Sequence, residues 1–480
     1  MKKISYADNI LLKSLCNNLG SYLEQKKDPA FPKERIEAYT NKIRSRANGY
    51  WQLSEGKNIF LDALNVICDL LKNNATPSEM NAVYYEFTNV MANVSKKCRV
   101  TFLAQEYAVW PSLRGVYEAM LKDKRFEVQF VYVPFHHQNS TGRDNSVDLY
   151  KSDGISVVRY DEYDFGTDNP DIVFFAKPYG STIPKQYYIG EVEKIIDRTV
   201  YIPYGMEANY KLVLYGFQHY LHYRVWRHIV YGQYVKQVGE KYGYRNGENI
   251  VVWGHPKMDY FLTEHKSVIP NEWVQKINGR HVICWCPHHT ILPGKEHVST
   301  WLDYQKIIFD WIKEHQDIVL LWRPHPLLFG ALVNNKYMTQ GQLDEFLEEK
   351  KKQDNIIFDD YSDYHAAFEV SDAMITDGTS FSIEYLGTGK PLMLTTPDIS
   401  QYYNYKEAQK GLYVGDSVDS IIEFLENISM DKDPKKLARK KYTKNTIFLP
   451  KDKTISEYIA DNILRDLVEE QILLAERLYK

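Results

Sequence analysis

The sequence predicts an α/β protein of two doubly wound, Rossmann-type domains facing a cleft, preceded by a helical N-terminal region. Short apolar runs of strand length alternate with helical stretches, the pattern of parallel sheets covered on both faces. The runs fall into two sets, split near residues 265–280. The chain has 480 residues, 44% hydrophobic and 25% charged. That is enough for two or three cores and is the balance of a globular chain, not of a disordered or fibrous one.

Residues 1–95 read as helical. Ile10-Leu11-Leu12, Leu15 and Leu19 recur at helical spacing, as do Ile59-Phe60, Leu64, Ile67 and Leu70-Leu71. The first α/β domain is expected over 96–270, with strands near 99–104, 127–134, 171–175, 199–203 and 249–253. The second is expected over 271–454, with strands near 281–286, 317–322, 356–358, 373–376 and 391–395. Residues 455–480 read as a long amphipathic helix. In sheets of this kind ligands bind outside the carboxyl ends of the strands, so those ends are where chemistry is expected.

Composition excludes several classes of function. Net charge is −4, from 59 basic and 63 acidic residues, which gives no global electrostatic case for nucleic acid. No window approaches the ~20 apolar residues of a membrane helix, and Ile318-Val319-Leu320-Leu321-Trp322 is only a buried strand's worth. The chain opens Met1-Lys2-Lys3-Ile4 like a signal peptide, but Asp8, Asn9, Lys13 and Asn17-Asn18 interrupt any apolar region. The five cysteines, Cys16, Cys68, Cys98, Cys284 and Cys286, are odd in number and scattered, so a reducing, cytoplasmic compartment is expected. Cys284-Trp285-Cys286 reads as strand core, not as half of a zinc site. The 38 tyrosines suit stacking and hydrogen bonding on a glycan, although biased genome composition explains them equally.

The most informative stretch runs from Ala373 to Gly387, an apolar strand, a polar turn and a helix. Asp377, Thr379 and Ser380 stand at the turn, where free backbone N–H groups and added hydroxyls favour a phosphate. Ordinary helix capping accounts for the same residues. The following Gly387-Thr388-Gly389-Lys390-Pro391 is no P-loop, because Pro391 stands where Ser or Thr is required. No dinucleotide fingerprint appears, and no cofactor is expected. The strand at 317–322 runs into Arg323-Pro324-His325-Pro326. Arg323 can grip phosphate through its planar fork, and His325 can donate to phosphate or move a proton. A third strand end gives Pro287-His288-His289-Thr290. Phosphate or ligand contact by His288 and His289 is favoured there over a metal, because adjacent side chains on a strand diverge. In the first half, Tyr201-Ile202-Pro203-Tyr204-Gly205-Met206-Glu207 places Glu207 as a general base, provided it is desolvated. Gly254-His255-Pro256-Lys257-Met258-Asp259 follows another strand near the domain junction. A surface loop explains each of these alone; together, five strand ends carry phosphate-compatible chemistry.

In combination and order these segments resemble the CDP-glycerol glycerophosphotransferase family of teichoic acid and capsule synthesis, over about residues 99–470. Ile375-Thr376-Asp377-Gly378-Thr379-Ser380-Phe381 with Glu384-Tyr385 is similar to the family's Ile-Thr-Asp-Tyr-Ser-Ser segment and its acidic–aromatic pair. Lys390-Pro391-Leu392, Arg323-Pro324-His325-Pro326 and Gly254–Asp259 are similar to its Lys-Pro-Ile, Arg-x-His-Pro and Gly-x-Pro-Arg-x-Asp. Trp110-Pro111-Ser112-Leu113 with Phe126-Glu127-Val128 looks like its first strand–helix–strand unit. The resemblance implies a GT-B-like fold with the nucleotide donor on the second domain. It implies transfer of glycerol phosphate from CDP-glycerol, or a related CDP-alditol, to a hydroxyl of a lipid-linked or polymeric glycan acceptor, releasing CMP. Thr379 and Ser380 would hold donor phosphate, with His325 nearby and able to assist catalysis; Glu384 would belong to the substrate-binding set. The family's Trp-His-Gly, whose His serves as base, is replaced by Pro203-Tyr204-Gly205. Either Glu207, with His219 as second choice, takes the base's role, or the chemistry differs; Tyr204 would be an acceptor-binding or donor-capping residue.

Two alternatives stand beside this expectation: a GT-B glycosyltransferase using a nucleotide sugar for surface polysaccharide, and an inactive glycan-binding relative. A lipid-linked acceptor without a spanning segment implies peripheral contact with an anionic membrane. Lys435, Lys436, Arg439, Lys440, Lys441 and Lys444 are the candidate patch, and a solvated helix face explains them as well.

Overall fold

The structure is a computed structural model. It describes residues 5–25, 97–135, 145–263, 267–292, 298–361, 363–378, 380–402 and 405–479, with scattered positions between 34 and 85. Of the expected N-terminal helices, Tyr6–Gln25 is a helix; the pattern at 59–71 lies almost wholly outside the described residues.

Two parallel sheets organise the chain. The strands are β1 Cys98–Ala104, β2 Phe126–Tyr132, β3 Val158–Arg159, β4 Ile172–Phe175, β5 Thr199–Tyr201, β6 Arg227–Val230, β7 Ile250–Val252, β8 His281–Cys286, β9 Ile318–Trp322, β10 Ile356–Phe358, β11 Ala373–Thr376, β12 Leu392–Leu394 and β13 Tyr413–Val414. The first sheet runs β3-β2-β1-β4-β5-β6-β7 and the second β10-β9-β8-β11-β12-β13. Counted from its own first strand, the second sheet is ordered 3-2-1-4-5-6, the doubly wound arrangement.

Burial explains why these segments are strands. Every residue of β1 and β9 is buried, as a central parallel strand covered on both faces requires. Phe102 of β1 stacks on Phe174 of β4 with centroids 4.5 Å apart. In the second sheet Trp285 of β8 stacks on Trp301 at 4.9 Å, and Trp301 on Trp322 of β9 at 5.5 Å. This aromatic pile anchors a core that includes Ile308, Phe309, Ile312 and Leu320. Cys284 and Cys286 are buried, with their sulfurs 3.5 Å apart.

All ten expected strands are present, most of them trimmed by a residue or two. Three more, β3, β6 and β13, run only two to four residues and carry too little apolar alternation to stand out. By internal packing the chain divides into two compact units. One comprises residues 1–202, 224–228 and 456–480; the other comprises 203–223 and 229–455. Within the first unit the final helix, Ile455–Tyr479, is held by Arg227 to Asp466 at 2.8 Å and by the Trp226 indole N–H to Glu470 at 2.6 Å. Residues 203–223 group with the second unit, so Glu207 shares a unit with Asp377, Ser380 and the histidines. Among the described residues, no helix is long and apolar enough to cross a membrane.

Candidate active site

β8 and β11 lie side by side in the second sheet, and from them the strand order runs in opposite directions. Ligands of doubly wound sheets lie beyond the carboxyl ends at such a reversal. There the chain leaves β8 as Pro287-His288-His289 and β11 as Asp377-Gly378. Asp377 joins the two loops. Its Oδ2 accepts the His288 backbone N–H at 2.6 Å. Its Oδ1 accepts the Thr300 N–H at 3.2 Å, the Thr300 hydroxyl at 2.6 Å and the Thr395 hydroxyl at 2.9 Å. Burial raises the proton affinity of this carboxyl and the four hydrogen bonds oppose that rise. Both oxygens are engaged within the protein, so Asp377 builds the loops.

The loop after β9 joins them, because the His325 N–H donates to the Pro287 carbonyl at 3.0 Å. His288, His289 and His325 then cluster, with ring centroids 4.3, 5.0 and 4.1 Å apart in tilted and edge-on arrangements. Divergence of His288 and His289 was expected from strand alternation. The strand ends at Cys286, and the loop beyond it is free to turn both rings to one side. Among the described residues these three form a group able to hold a metal ion, each offering an atom within 4.8 Å of the others. The ring tautomers point elsewhere. The Leu327 N–H donates to His325 Nδ1 at 3.1 Å and the Thr290 N–H to His288 Nδ1 at 3.3 Å. With Nδ1 accepting, a neutral ring carries its proton on Nε2 and is a donor there. Such donors suit an anionic oxygen better than a cation. Desolvation first, then the neighbouring rings, push His288 down to about 3 and His325 down to about 4.

Arg323 directs its guanidinium to Asp359 Oδ2 at 2.7 Å and to the Tyr361 carbonyl at 2.8 Å. Ser380 opens the helix Ser380–Tyr385, which has only six residues. Thr379 lies outside the described residues.

Glu207 follows the bend at Tyr204-Gly205. A Cβ at position 205 would lie 3.3 Å from Glu207 Oε1 and 3.6 Å from Ser380 Cβ. A side chain there would crowd the carboxyl by a few tenths of an ångström and touch Ser380, so glycine gives the carboxyl its room. Desolvation raises Glu207 to about 7, with Lys257 opposing the rise and Glu384 adding to it. The carboxyl thus changes charge near neutral pH, as a general base requires. His219 sits in the turn between helices Tyr210–Gly216 and Tyr220–Arg224, where desolvation lowers its proton affinity.

Lys257, quoted above only within a motif, pairs with Glu384, which was expected among the substrate-binding residues. Lys257 Nζ is 3.1 Å from Glu384 Oε1, with the side chains 10% and 1% exposed. The other oxygen of Glu384 accepts the Tyr364 hydroxyl, and burial drives that phenol well above its ordinary proton affinity. Glu384 therefore spends both oxygens inside the protein. Buried His255 binds the Pro203 carbonyl through Nε2 at 2.7 Å and accepts the Lys257 N–H on Nδ1 at 3.3 Å. One ring thus ties the segment carrying Glu207 to the loop carrying Lys257. Desolvation lowers His255 to about 3 and keeps it neutral. Gly254 turns this loop with φ +90°, and a Cβ there would press on Ile455 at 3.0 Å. The legible signal was Lys257 at the basic position of the Gly-x-Pro-Arg-x-Asp pattern.

The family model for CDP-glycerol:poly(glycerophosphate) glycerophosphotransferase matches residues 222–465, about half of the chain. The match takes in Lys257, the three histidines, Arg323, Asp377, Ser380 and Glu384, while Glu207 lies upstream of it. Among solved structures, a variant of the wall teichoic acid polymerase TagF is 15% identical. It covers 86% of this chain and 98% of its own, with a TM-score of 0.50. A UDP-N-acetylglucosamine 2-epimerase is 13% identical over 77% of this chain and 97% of its own, at 0.51. The Neisseria meningitidis UDP-GlcNAc 2-epimerase bound to UDP-GlcNAc is 12% identical over 76% and 100%, at 0.50. At these identities the likeness is one of fold, and it is GT-B-like. A comparison with curated protein sequences finds no match. The chain belongs to the CDP-glycerol:poly(glycerophosphate) glycerophosphotransferase family.

Proposed function

We propose that the protein transfers glycerol phosphate, or a related alditol phosphate, from a CDP-activated donor to a hydroxyl of a lipid-linked or polymeric cell-surface acceptor, releasing CMP. Family membership supports the reaction class. The observation that carries the site is the meeting of Glu207 and Ser380 across Gly205. The acceptor oxygen attacks the phosphorus that bears the alditol. Its bond to that phosphorus forms as the bond to the CMP phosphate oxygen breaks. The acceptor's proton passes to the Glu207 carboxylate. Ser380 and the Nε2–H groups of His288 and His325 supply donors to phosphate oxygens, with His289 beside them. Arg323 and Asp377 hold the loops on which those donors stand, and Tyr204 flanks the base on the acceptor side. The work is cytoplasmic, at the inner face of the membrane that carries the acceptor.

The test is incubation with CDP-glycerol, other CDP-alditols and UDP-sugars in the presence of a phosphoglycerol-primed acceptor, with product mass spectrometry. The expected product gains one alditol phosphate, with CMP released in equal amount. Gain of a sugar residue from a UDP-sugar, with none from any CDP-alditol, overturns the reading.

A further inference from the structure

Glu207 does not stand alone. Two charged side chains stand by it from two different elements: Glu384, one helical turn beyond Ser380 on the helix Ser380–Tyr385, and Lys257 of the loop after β7, paired to Glu384 at 3.1 Å. Ser380 is the neighbour across Gly205, and the Tyr231 hydroxyl donates to the Glu207 main-chain carbonyl at 2.7 Å. Lys257 and Glu384 form an ion pair almost sealed from water, which is strongly held only if each charge keeps its partner. Tyr364 fills the remaining oxygen of Glu384, and the Lys257 ammonium also stands 5.8 Å from the Tyr364 ring centroid. His255 fixes the spacing, because a single ring grips both segments.

We propose that Lys257 is a positioning residue through which the buried Lys257–Glu384–Tyr364 chain controls the charge on Glu207. This rests on the reading of Glu207 as the proton acceptor. Lys257 touches no reacting atom in this account. Its ammonium favours the carboxylate form of Glu207 and the Glu384 carboxylate disfavours it, so the two act with opposite sign. The pair lets the site hold a carboxyl that is desolvated yet still able to ionise near neutral pH. A lone buried carboxyl would stay protonated and be useless as a base. A carboxyl beside an unpaired lysine would ionise too readily and bind a proton too weakly.

The test reads Glu207 directly, without turnover. The full-length protein is titrated by infrared difference spectroscopy, and the carboxyl band lost in Glu207→Gln is assigned to Glu207. Lys257→Met is expected to raise its midpoint by about 1 pH unit or more, and Glu384→Gln to lower it. Lys257→Arg keeps the charge and should leave the midpoint in place. If Lys257→Met fails to fold, the downward shift in Glu384→Gln decides. Shifts in the same direction, or no shift in either variant, overturn the proposal. Opposite shifts with a pH–rate profile that follows neither would leave this control standing and overturn the reading of Glu207 as the base.

Discussion

The backbone N–H of His288 donates to Asp377 Oδ2 at 2.6 Å, so one buried carboxylate locks the loops leaving β8 and β11 at the reversal of the second sheet. Removing it strands donors on His288, Thr300 and Thr395. At ~1–3 kcal/mol for each buried donor left unmet, Asp377→Ala should lose at least ~3 kcal/mol of unfolding free energy. Asp377→Asn should be milder, since one carbonyl oxygen remains. Urea unfolding measures both, and a loss below ~1 kcal/mol for the alanine variant would show that these loops are held by other contacts.

Glu207 ties stability to pH. Its ordinary value is 4.5 and the folded protein raises it to about 7, so the folded chain binds this proton more tightly than the unfolded chain. The resulting stabilisation is full below about pH 4.5 and is lost as pH rises through about 7. Glu207→Gln has no such loss. Its melting temperature should match or trail wild type at pH 5 and exceed it at pH 8. Parallel curves over that range would mean the carboxyl is solvated.

Much of this arrangement was legible in the sequence, and the reasons differ by element. β8, β9 and β11 stood out because central parallel strands are continuous apolar runs, and the polar residues that follow them mark the carboxyl edge. β3 and β13 have two residues each, and β6 opens with Arg227 and His228, so none of them leaves such a run. The residue types at the site were visible, but their division of labour was not. Nothing in Asp377-Gly378-Thr379-Ser380 says that Asp377 spends both oxygens on its own loops. Nor does Glu384-Tyr385 say that Glu384 faces Lys257, 127 residues away in sequence. Such pairings depend on which loops the sheet order brings together, and a single sequence does not carry that order.

Gly205→Ala is a steric test of the site. The added methyl would lie 3.3 Å from Glu207 Oε1, so the carboxyl must give way by a few tenths of an ångström, while Ser380 Cβ at 3.6 Å would be in ordinary contact. Displacement on that scale should reduce turnover by about 10-fold or more, with little change in unfolding midpoint. Unchanged turnover would show that the carboxyl and the Ser380 hydroxyl need not keep their present spacing.

The histidines answer to acid. His325 is held at about 4 and His288 at about 3, against an ordinary 6.5, so the folded state binds fewer protons there than the unfolded chain. Their contribution to stability is full above about pH 6.5 and is lost as pH falls toward 4. A phosphate ligand would reverse this by favouring the charged rings. CDP-glycerol binding measured calorimetrically at pH 6 in two buffers of different ionisation enthalpy should therefore show proton uptake. His325→Ala should diminish that uptake and cut turnover by at least ~10-fold, or ~1.4 kcal/mol of barrier. Binding without proton exchange would place the diphosphate away from the rings.

The basic cluster near the C-terminus is smaller than its sequence suggests. Arg439 is buried against Asp433 and the Gly389 carbonyl, and Lys435 bonds the Gln409 and Leu412 carbonyls at 2.8 and 2.7 Å. Lys436, Lys440, Lys441 and Lys444 are exposed, alongside Leu437 at 83%. At ~1 kcal/mol for each basic residue near an anionic surface, these four should bring the protein down with phosphatidylglycerol vesicles at low salt and release it at high salt. Changing all four to Glu should abolish sedimentation. Wild type that stays in solution at low salt would rule this face out.

If Glu207 takes the acceptor's proton during alditol phosphate transfer, the rate of transfer follows the ionisation of its carboxyl. The most direct measurement is single-turnover transfer from CDP-glycerol to a phosphoglycerol-primed acceptor between pH 5.5 and 8.5, for wild type and Glu207→Gln. Wild type should rise with pH and level off near 7, where the carboxyl is raised. Glu207→Gln should be slower by about 100-fold or more at pH 7.5, lack that limb and keep its affinity for CDP-glycerol. A Glu207→Gln variant with wild-type rates and the same rising limb would contradict the account.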